Sequence, residues 1–448
     1  MALKAEVVAE IESLIGPGAA DTVDFEAMEM AVRRQALQVA ARAIERRFNE
    51  DISDHAASFI PCPCGALARY AGRQNKTLTT AIGELTLSRA YFHCEACRTG
   101  FFPRDQALGI CRTTVSPAVT RMIGSVGAMV SFAEGSELLD ELAGVRVNAK
   151  QVERTAEGLG AEIAKDERQH VEPDCEAVLP PTLYLGMDGT GVPMRTAELT
   201  GRKGKQADGS SKTREVKICT VWSAEGRDTE GIPVRDQGSI TYTAAIESAA
   251  SRETDESPPE FALRALREAT RRRFEQTERR VVLGDGASWI WNIASEHFPD
   301  AIQIVDRFHV KQHLSDAGKA IFGATSELAI AWAKQRHDEL DEGETGKIIT
   351  ALAVHADPCD EARKCAHYIE TNQLRMRYPL FRNQGLCTST GVVEAGCKVA
   401  VGTRLKRAGM HWTVAGADAI IALRCCKLSG RFEDFWERRS TAATEVAA

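Results

Sequence analysis

The chain has 448 residues, a formal net charge of −7, 44% hydrophobic and 27% charged residues, so it is too apolar for a wholly disordered protein and too long for one ordinary core, which points to two or three domains. Its longest uncharged apolar stretch, Met122 to Ala133, falls well short of the ~18 residues of a membrane span, and Glu6 and Glu10 interrupt the start where a secretion signal would be apolar; no membrane association and a cytoplasmic location are expected. The 13 cysteines then read as reduced thiols and metal ligands rather than disulfides.

Residues 1–55 form a predicted helical region. Asp24 can cap a helix running to about Asn49, with Phe25, Met28, Val32, Leu37, Ile44 and Phe48 along one face for packing or dimerisation. Residues 56–110 are predicted as a zinc-ribbon-like segment. Cys62-Pro-Cys64 and Cys94-Glu-Ala-Cys97 bracket two alternating stretches joined around Ile82-Gly83-Glu84, and four thiolates at the ends of a hairpin can hold one structural Zn²⁺. The first pair has one intervening residue where two are usual; His55 or His93 could replace a thiolate, and four unligated core cysteines are the alternative. Residues 111–170 are predicted helical, with a helix over Ser136 to Ala143, a turn over Gly144 to Val147, and a second helix capped by Asn148. That is the pattern of a helix-turn-helix, which would bring Lys150, Gln151 and Arg154 to a DNA major groove; an ordinary helical hairpin carries the same pattern.

Linkers are expected over Val171 to Thr182 and Glu253 to Glu260. Between and beyond them, strands are predicted at Leu183–Met187, Val216–Trp222, Ser239–Ala245, Val281–Leu283 and Ile302–Val305, with helices at Phe261–Phe274 and Ser288–His297. Three early strands followed by alternating helix and strand predict a mixed sheet flanked by helices, an α/β core over 181–310 and 385–440 interrupted by a helical insertion at 311–384. Three acids stand out. Asp188 and Asp285 end apolar strand-like runs, LYLGMD and VVLGD, and Glu394 opens a basic helix in GVVEAGCK. Each singly is also ordinary turn or capping chemistry, but three hard oxygen donors brought together could hold two Mg²⁺ ions over a scissile phosphate. From Ala395 to Arg431 the basic residues Lys398, Arg404, Lys406, Arg407, Arg424, Lys427 and Arg431 face only Asp418, a local balance of +6 that suits phosphate contacts or a solvated helix face.

Taken together, CPCGALARYAGR, YFHCEACRTGFFPRD, LYLGMDGTGVPMR, VVLGDGASWIW, FPDAIQIVDRFHV and GVVEAGCKVAVGTRLKRAGMHWTVAGADAI resemble bacterial insertion-sequence transposases of the DDE class, most closely the Kra type related to Mutator-like transposases. The resemblance implies a multidomain α/β protein whose mixed-sheet catalytic core is RNase-H-like. Asp188, Asp285 and Glu394 would be the catalytic acids holding two Mg²⁺ or Mn²⁺ ions, with Asp188 shared, and Asp306 and His309 in the D-x-x-H element would support them. It implies in-line phosphoryl transfer without a covalent protein–DNA intermediate, acting on the element's terminal repeats and target DNA. Lys398, Arg404, Lys406 and Arg407 would position phosphates, while the ribbon (Cys62, Cys64, Cys94, Cys97, with Zn²⁺) and the helix-turn-helix would recognise the ends. A homo-oligomer in the synaptic complex and association with the bacterial nucleoid follow from the same likeness. A structure-selective metal nuclease and a transposase-derived DNA-binding regulator are the alternatives.

Overall fold

The computed structural model describes residues 24–173, 178–202, 211–249 and 258–447, with isolated positions besides, and side chains as far as 440. The start of the chain, part of the first predicted linker (174–177) and most of the second (within 250–257) lie outside the described residues. The chain divides into two compact units, 1–159 with 432–448, and 160–431. No helix among the described residues is long and apolar enough to cross a membrane.

In the first unit, helix α1 (Phe25–Glu50) begins where Asp24 accepts a hydrogen bond from the Ala27 amide at 3.2 Å, as the sequence predicts. A four-stranded antiparallel sheet follows, β1 (Phe59–Pro61), β2 (Leu67–Thr80), β3 (Gly83–Cys94) and β4 (Thr99–Phe101), in that order. Helix α1 closes one end of it, burying Ala41 with Leu78, Leu85, Leu87 and Ile110. Glu45 and Asn49 accept from the β3 amides of Thr86 and Ser88 at 2.6 and 2.8 Å, so the outer edge of that strand is satisfied by helix side chains. After α2 (Pro103–Ala107) and α3 (Pro117–Met129) comes α4 (Phe132–Ala143). It starts earlier than the predicted Ser136, because Ser131 and Glu134 form a reciprocal capping box. Helix α5 (Ala149–Gln169) follows, its residues to Leu159 assigned to this unit and those from Gly160 to the second.

The second unit holds a five-stranded sheet. Strands β5 (Thr182–Pro193), β6 (Thr213–Trp222) and β9 (Thr241–Ala245) are an antiparallel set, with a two-residue pair, β7 (Gly226–Arg227) and β8 (Pro233–Val234), in the β6–β9 connection. Strand β10 (Arg279–Gly284) adds parallel to β5, and β11 (Ile302–Val305) parallel to β10, giving the order β11-β10-β5-β6-β9. Helix α6 (Glu260–Arg271) packs on β9 and β6, and α7 (Ser288–His297) links β10 to β11. After β11 the chain is helical: α8 (Arg307–Phe322), α9 (Glu327–Asp341), α10 (Thr345–Ala353), α11 (Asp360–Asn372) and α12 (Tyr378–Asn383). It returns to the sheet as α13 (Gly391–Gly396), a π-helical stretch (Cys397–Gly402), the short α14 (Thr403–Leu405) and α15 (Val414–Leu428). Helix α16 (Phe432–Ala447) belongs with the first unit, so the core boundary expected near 440 falls instead at Arg431.

Candidate active site

Strands β5, β10 and β11 run parallel side by side, and Asp188, Asp285 and Asp306 lie at or just past their paired carboxyl ends, where α/β sheets place ligands. Alternation along β5 puts Tyr184, Gly186 and Asp188 on one face. There Tyr184 stacks on Trp222 at 5.5 Å, and Gly186 supplies the gap that Val393 of α13 fills. A Cβ at 186 would collide with Val393. That close approach brings the Glu394 helix over the strand that carries Asp188.

Around Asp188, the Gly189 amide donates to Oδ1 at 2.6 Å and the Cys397 thiol donates to Oδ2 at 3.2 Å. Burial, joined by the negative charge of Asp285, raises the Asp188 carboxyl above its ordinary value despite these donors. Asp285 ends its strand in a tight turn, its Oδ1 accepting from the Ala287 amide at 2.9 Å. Asp306 is 1% exposed, and both its oxygens are engaged. Oδ1 accepts from the Phe308 amide at 2.7 Å; Oδ2 accepts from His309 Nδ1 at 3.1 Å, the Thr390 amide at 3.0 Å and the Thr390 hydroxyl. Burial opposes its charge, but these donors, His309 first, hold the carboxyl below the usual range.

His309 is pushed up to about 9, chiefly by its hydrogen bond to Asp306, with Glu394 and Asp285 adding to it. Its Nδ1 lies 3.6 Å from Glu394 Oε1. The ligand atoms of Asp306, His309 and Glu394 fall within 4.8 Å of one another. An imidazolium thus stands among carboxylates that otherwise repel, and the surplus of hard oxygen donors suits a divalent Mg²⁺ or Mn²⁺. An open cleft beside them is lined by Asp188, Thr190, Glu394, Cys397, Lys398, Gly402 and Lys406. Asp285 is off that lining and is tied to it through its charge on Asp188 and His309.

The basic residues after Glu394 divide. Lys398, Lys406 and Arg407 are exposed, and Lys406 Nζ reaches the Thr190 hydroxyl. Arg404 is fully buried, its guanidinium 5.3 Å over the Trp412 ring and 3.8 Å from Met410 Sδ; the expected phosphate contact at this position is corrected, because no charge there faces solvent. Arg424, also buried, donates to the Val399 carbonyl at 2.5 and 2.8 Å and to Thr403 Oγ1 at 2.7 Å. It satisfies the π-helical stretch, whose wider i→i+5 winding displaces ordinary helical pairings. Arg431 pairs with buried Glu268 at 2.8 Å. The +6 of the sequence is therefore only partly a surface charge. Sequence reasoning missed Cys397 and Thr390, although their spacing from Glu394, three positions on and four before, places them on one side of a helix with it.

In the first unit the four expected cysteines meet. Cys62 Sγ and Cys97 Sγ are 3.7 Å apart, as are Cys64 Sγ and Cys94 Sγ, and all four sulfurs lie within 4.8 Å of one another. Zinc–sulfur bonds of ~2.3 Å at tetrahedral angles separate sulfurs by ~3.8 Å, so the spacing fits one Zn²⁺. The short Cys-Pro-Cys spacing is accommodated by a tight turn, with Gly65 donating to the Cys62 carbonyl at 2.9 Å and Cys62 to the Ala66 carbonyl at 2.8 Å. The Thr99 hydroxyl lowers the Cys97 thiol to about 6, while, against the Cys64 amide, burial and hydrogen bonds with the other thiols push Cys62 up to about 12. Neither histidine joins the cluster: His55 stacks on Tyr70 at 3.7 Å, and His93 pairs with Gly100 across the β3–β4 ladder. On α5, Lys150 and Arg154 are exposed, and Lys150 pairs with Glu153 at 2.7 Å. Gln151 donates to Thr114 Oγ1 at 3.0 Å, so its amide is already engaged.

A model of an uncharacterised protein family, UPF0236, matches residues 68–439. A UPF0236 protein in the vanSb 3′ region of Streptococcus gallolyticus is 22% identical over 415 residues, covering 88% of this chain and 80% of that one. The Drosophila P element transposase strand transfer complex is similar at 10% identity and a TM-score of 0.25, over 75% of this chain and 84% of that chain, a score too low to fix the fold.

Proposed function

The chain belongs to the uncharacterised family UPF0236, and from its site geometry we propose that it is a DDE transposase, cutting and joining DNA at the ends of a bacterial insertion sequence. The observation that carries this reading is the approach of three acids distant in sequence: Asp285 follows the end of the strand paired beside the one that carries Asp188, and Glu394 lines the same cleft as Asp188. The sheet supports an RNase-H-like core, since an antiparallel set of three strands extended by two parallel ones presents Asp188 and Asp285 side by side.

Asp188, Asp285 and Glu394 would hold Mg²⁺ or Mn²⁺, which supplies charge neutralisation at the phosphate and lowers the proton affinity of the attacking oxygen. The protein's own part is placement. Asp306 and Thr390 fix the His309 ring beside Glu394, and Cys397 and Gly189 hold the Asp188 carboxylate in one rotamer. Lys398 and Lys406, at the mouth of the cleft, would position the DNA backbone on either side of the reacting phosphate. We assign end recognition to the Cys62–Cys64–Cys94–Cys97 zinc ribbon and to the exposed Lys150 and Arg154 of α5.

Purified protein incubated with element-end DNA, target DNA and Mg²⁺ should yield joined strands on mapping. Asp188→Ala, Asp285→Ala and Glu394→Ala should each abolish cleavage while retaining DNA binding. Hydrolysed but never joined strands would replace the reading with a metal nuclease. Wild-type cleavage by any of the three variants would refute the assignment of acids.

A further inference from the structure

The helical segment between β11 and α13 touches the proposed site at a point no sequence motif marks. Tyr368 of α11 donates its hydroxyl to the main-chain carbonyl of Asp285 at 2.7 Å. Its ring covers Gly286, which has φ +102°, and a Cβ at 286 would collide with that ring. The ring is held in turn: His313 of α8 lies against it at 4.6 Å, and Asn372 Nδ2 donates to the Tyr368 carbonyl at 3.0 Å. His313 sits one helical turn after His309, so a single helix steadies both the histidine of the site and the tyrosine behind Asp285. The next strand shows the same device, because the Tyr378 hydroxyl of α12 donates at 3.0 Å to the carbonyl of Val305, the residue before Asp306.

We propose that the helical insertion sets the geometry of the proposed metal site, with Tyr368 the positioning residue for Asp285; the inference rests on the metal-dependent reading above. The peptide before Asp285 is fixed by the Asp306 amide, which donates to the Gly284 carbonyl at 2.8 Å. The peptide after it is fixed by Tyr368. With both peptide planes fixed and Oδ1 tied to Ala287, the carboxylate has one direction in which to point. Without the tyrosine hydroxyl, the second plane can rotate about a glycine that offers no side-chain restraint, and the direction of Asp285 broadens.

The test measures Mn²⁺ binding to the full chain by the electron paramagnetic resonance signal of the free ion, and the melting temperature without added Mn²⁺. Asp188→Ala should lose the site. Tyr368→Phe keeps the ring over Gly286 but removes the donor, and should bind Mn²⁺ about fivefold more weakly, the worth of one hydrogen bond, with its melting temperature lowered by no more than the ~2–4 °C that one such bond accounts for. His313→Ala, which loosens the ring without touching its hydroxyl, should weaken binding in the same direction and serves if Tyr368→Phe does not fold. Wild-type Mn²⁺ affinity in Tyr368→Phe, alongside a deficient Asp188→Ala, overturns the positioning role alone. A loss of affinity accompanied by a melting temperature lowered well beyond those few degrees makes Tyr368 a merely structural residue and also overturns it. Unchanged binding in Asp188→Ala removes the metal-site reading itself, and the inference with it.

Discussion

Replacing Cys94 with Ser, or stripping the protein with a strong chelator, should loosen the sulfur end of the β1–β4 sheet while leaving the five-stranded sheet intact. The buried cluster around the thiols consists of Cys62, Ala68, Ala90, Phe92 and Cys94. Two of its five members are the proposed ligands and two more are alanines, leaving Phe92 as the one large side chain fully buried there, with Ile60, Tyr70 and Phe101 packed partly buried against it. Burying a side chain of that size contributes about 1.5–3 kcal/mol, whereas a structural Zn²⁺ in a small module contributes about 10–16 kcal/mol at neutral pH. Metal would therefore contribute more than the packing of Phe92 at the sulfur end of the sheet, with the partly buried aromatics adding to the latter. Elemental analysis should find about one zinc per chain in the wild type and a much reduced content in Cys94→Ser. Hydrogen exchange should accelerate across β2 and β3 in the variant, most at the Cys94 end and least where α1 covers Leu78, Leu85 and Leu87. A zinc-free wild-type protein with the same slow exchange over β2 and β3 would refute the reasoning, because the four thiols would then be only a polar knot in a self-sufficient sheet.

Two further outcomes are expected. Lys406→Ala with Arg407→Ala should weaken DNA binding equally for all sequences and flatten the log–log salt dependence by about two units, one per lost phosphate contact; an unchanged slope with altered end preference would mean that these residues read bases. Glu268, fully buried behind the sheet, has its carboxyl held below the usual range, because the charges of Arg431 and Arg271 outweigh the cost of burial. A lowered folded-state pKa stabilises the protein above the unfolded-state value and ceases to do so as pH falls through the folded one. Glu268→Gln should thus cost about 3 kcal/mol near neutral pH, and the gap from wild type should shrink only below about pH 4; a gap that instead widened on acidification, in chemical unfolding, would contradict the pairing. Glu167 shares Arg431 but is raised by burial, so its own substitution should not reproduce this pH dependence.

The strands that carry the acids were legible because each ends an apolar run at a polar residue. The predicted Ile302–Val305 and Ser288–His297 coincide with β11 and α7, and Asp188 and Asp285 fall where those runs stop. The length of β5 was not legible. Its last residues, Asp188-Gly-Thr-Gly-Val-Pro193, carry no apolar alternation, yet pair with β6 through to Thr213, since a ladder bonds through the backbone and asks little of the side chains on an exposed end. The start of α4 is written in the sequence as Ser131 and Glu134, three positions apart, the spacing of a capping box.

At the site, residue type showed which chemistry was available but not which side chains could reach it. Arg404, Arg424 and Lys406 are alike in a charge count, yet one is sealed under Trp412, one is spent on the Val399 carbonyl, and one stands at the cleft. What separates them is where each sits, Arg404 within the short α14, Lys406 just past its end and Arg424 on α15; the π-helical stretch at Cys397–Gly402 precedes all three. One extra residue in a turn rotates everything after it by roughly 100° relative to a regular helix, so spacings counted from Glu394 hold as far as Cys397 and fail beyond Gly402. Tyr368 escaped for the opposite reason: its contact is to a backbone carbonyl and a glycine, partners that leave no side-chain signature near Asp285. The helical insertion consequently looks in sequence like a detour between two acids, while in the fold its tyrosines bear on the strand ends that aim them.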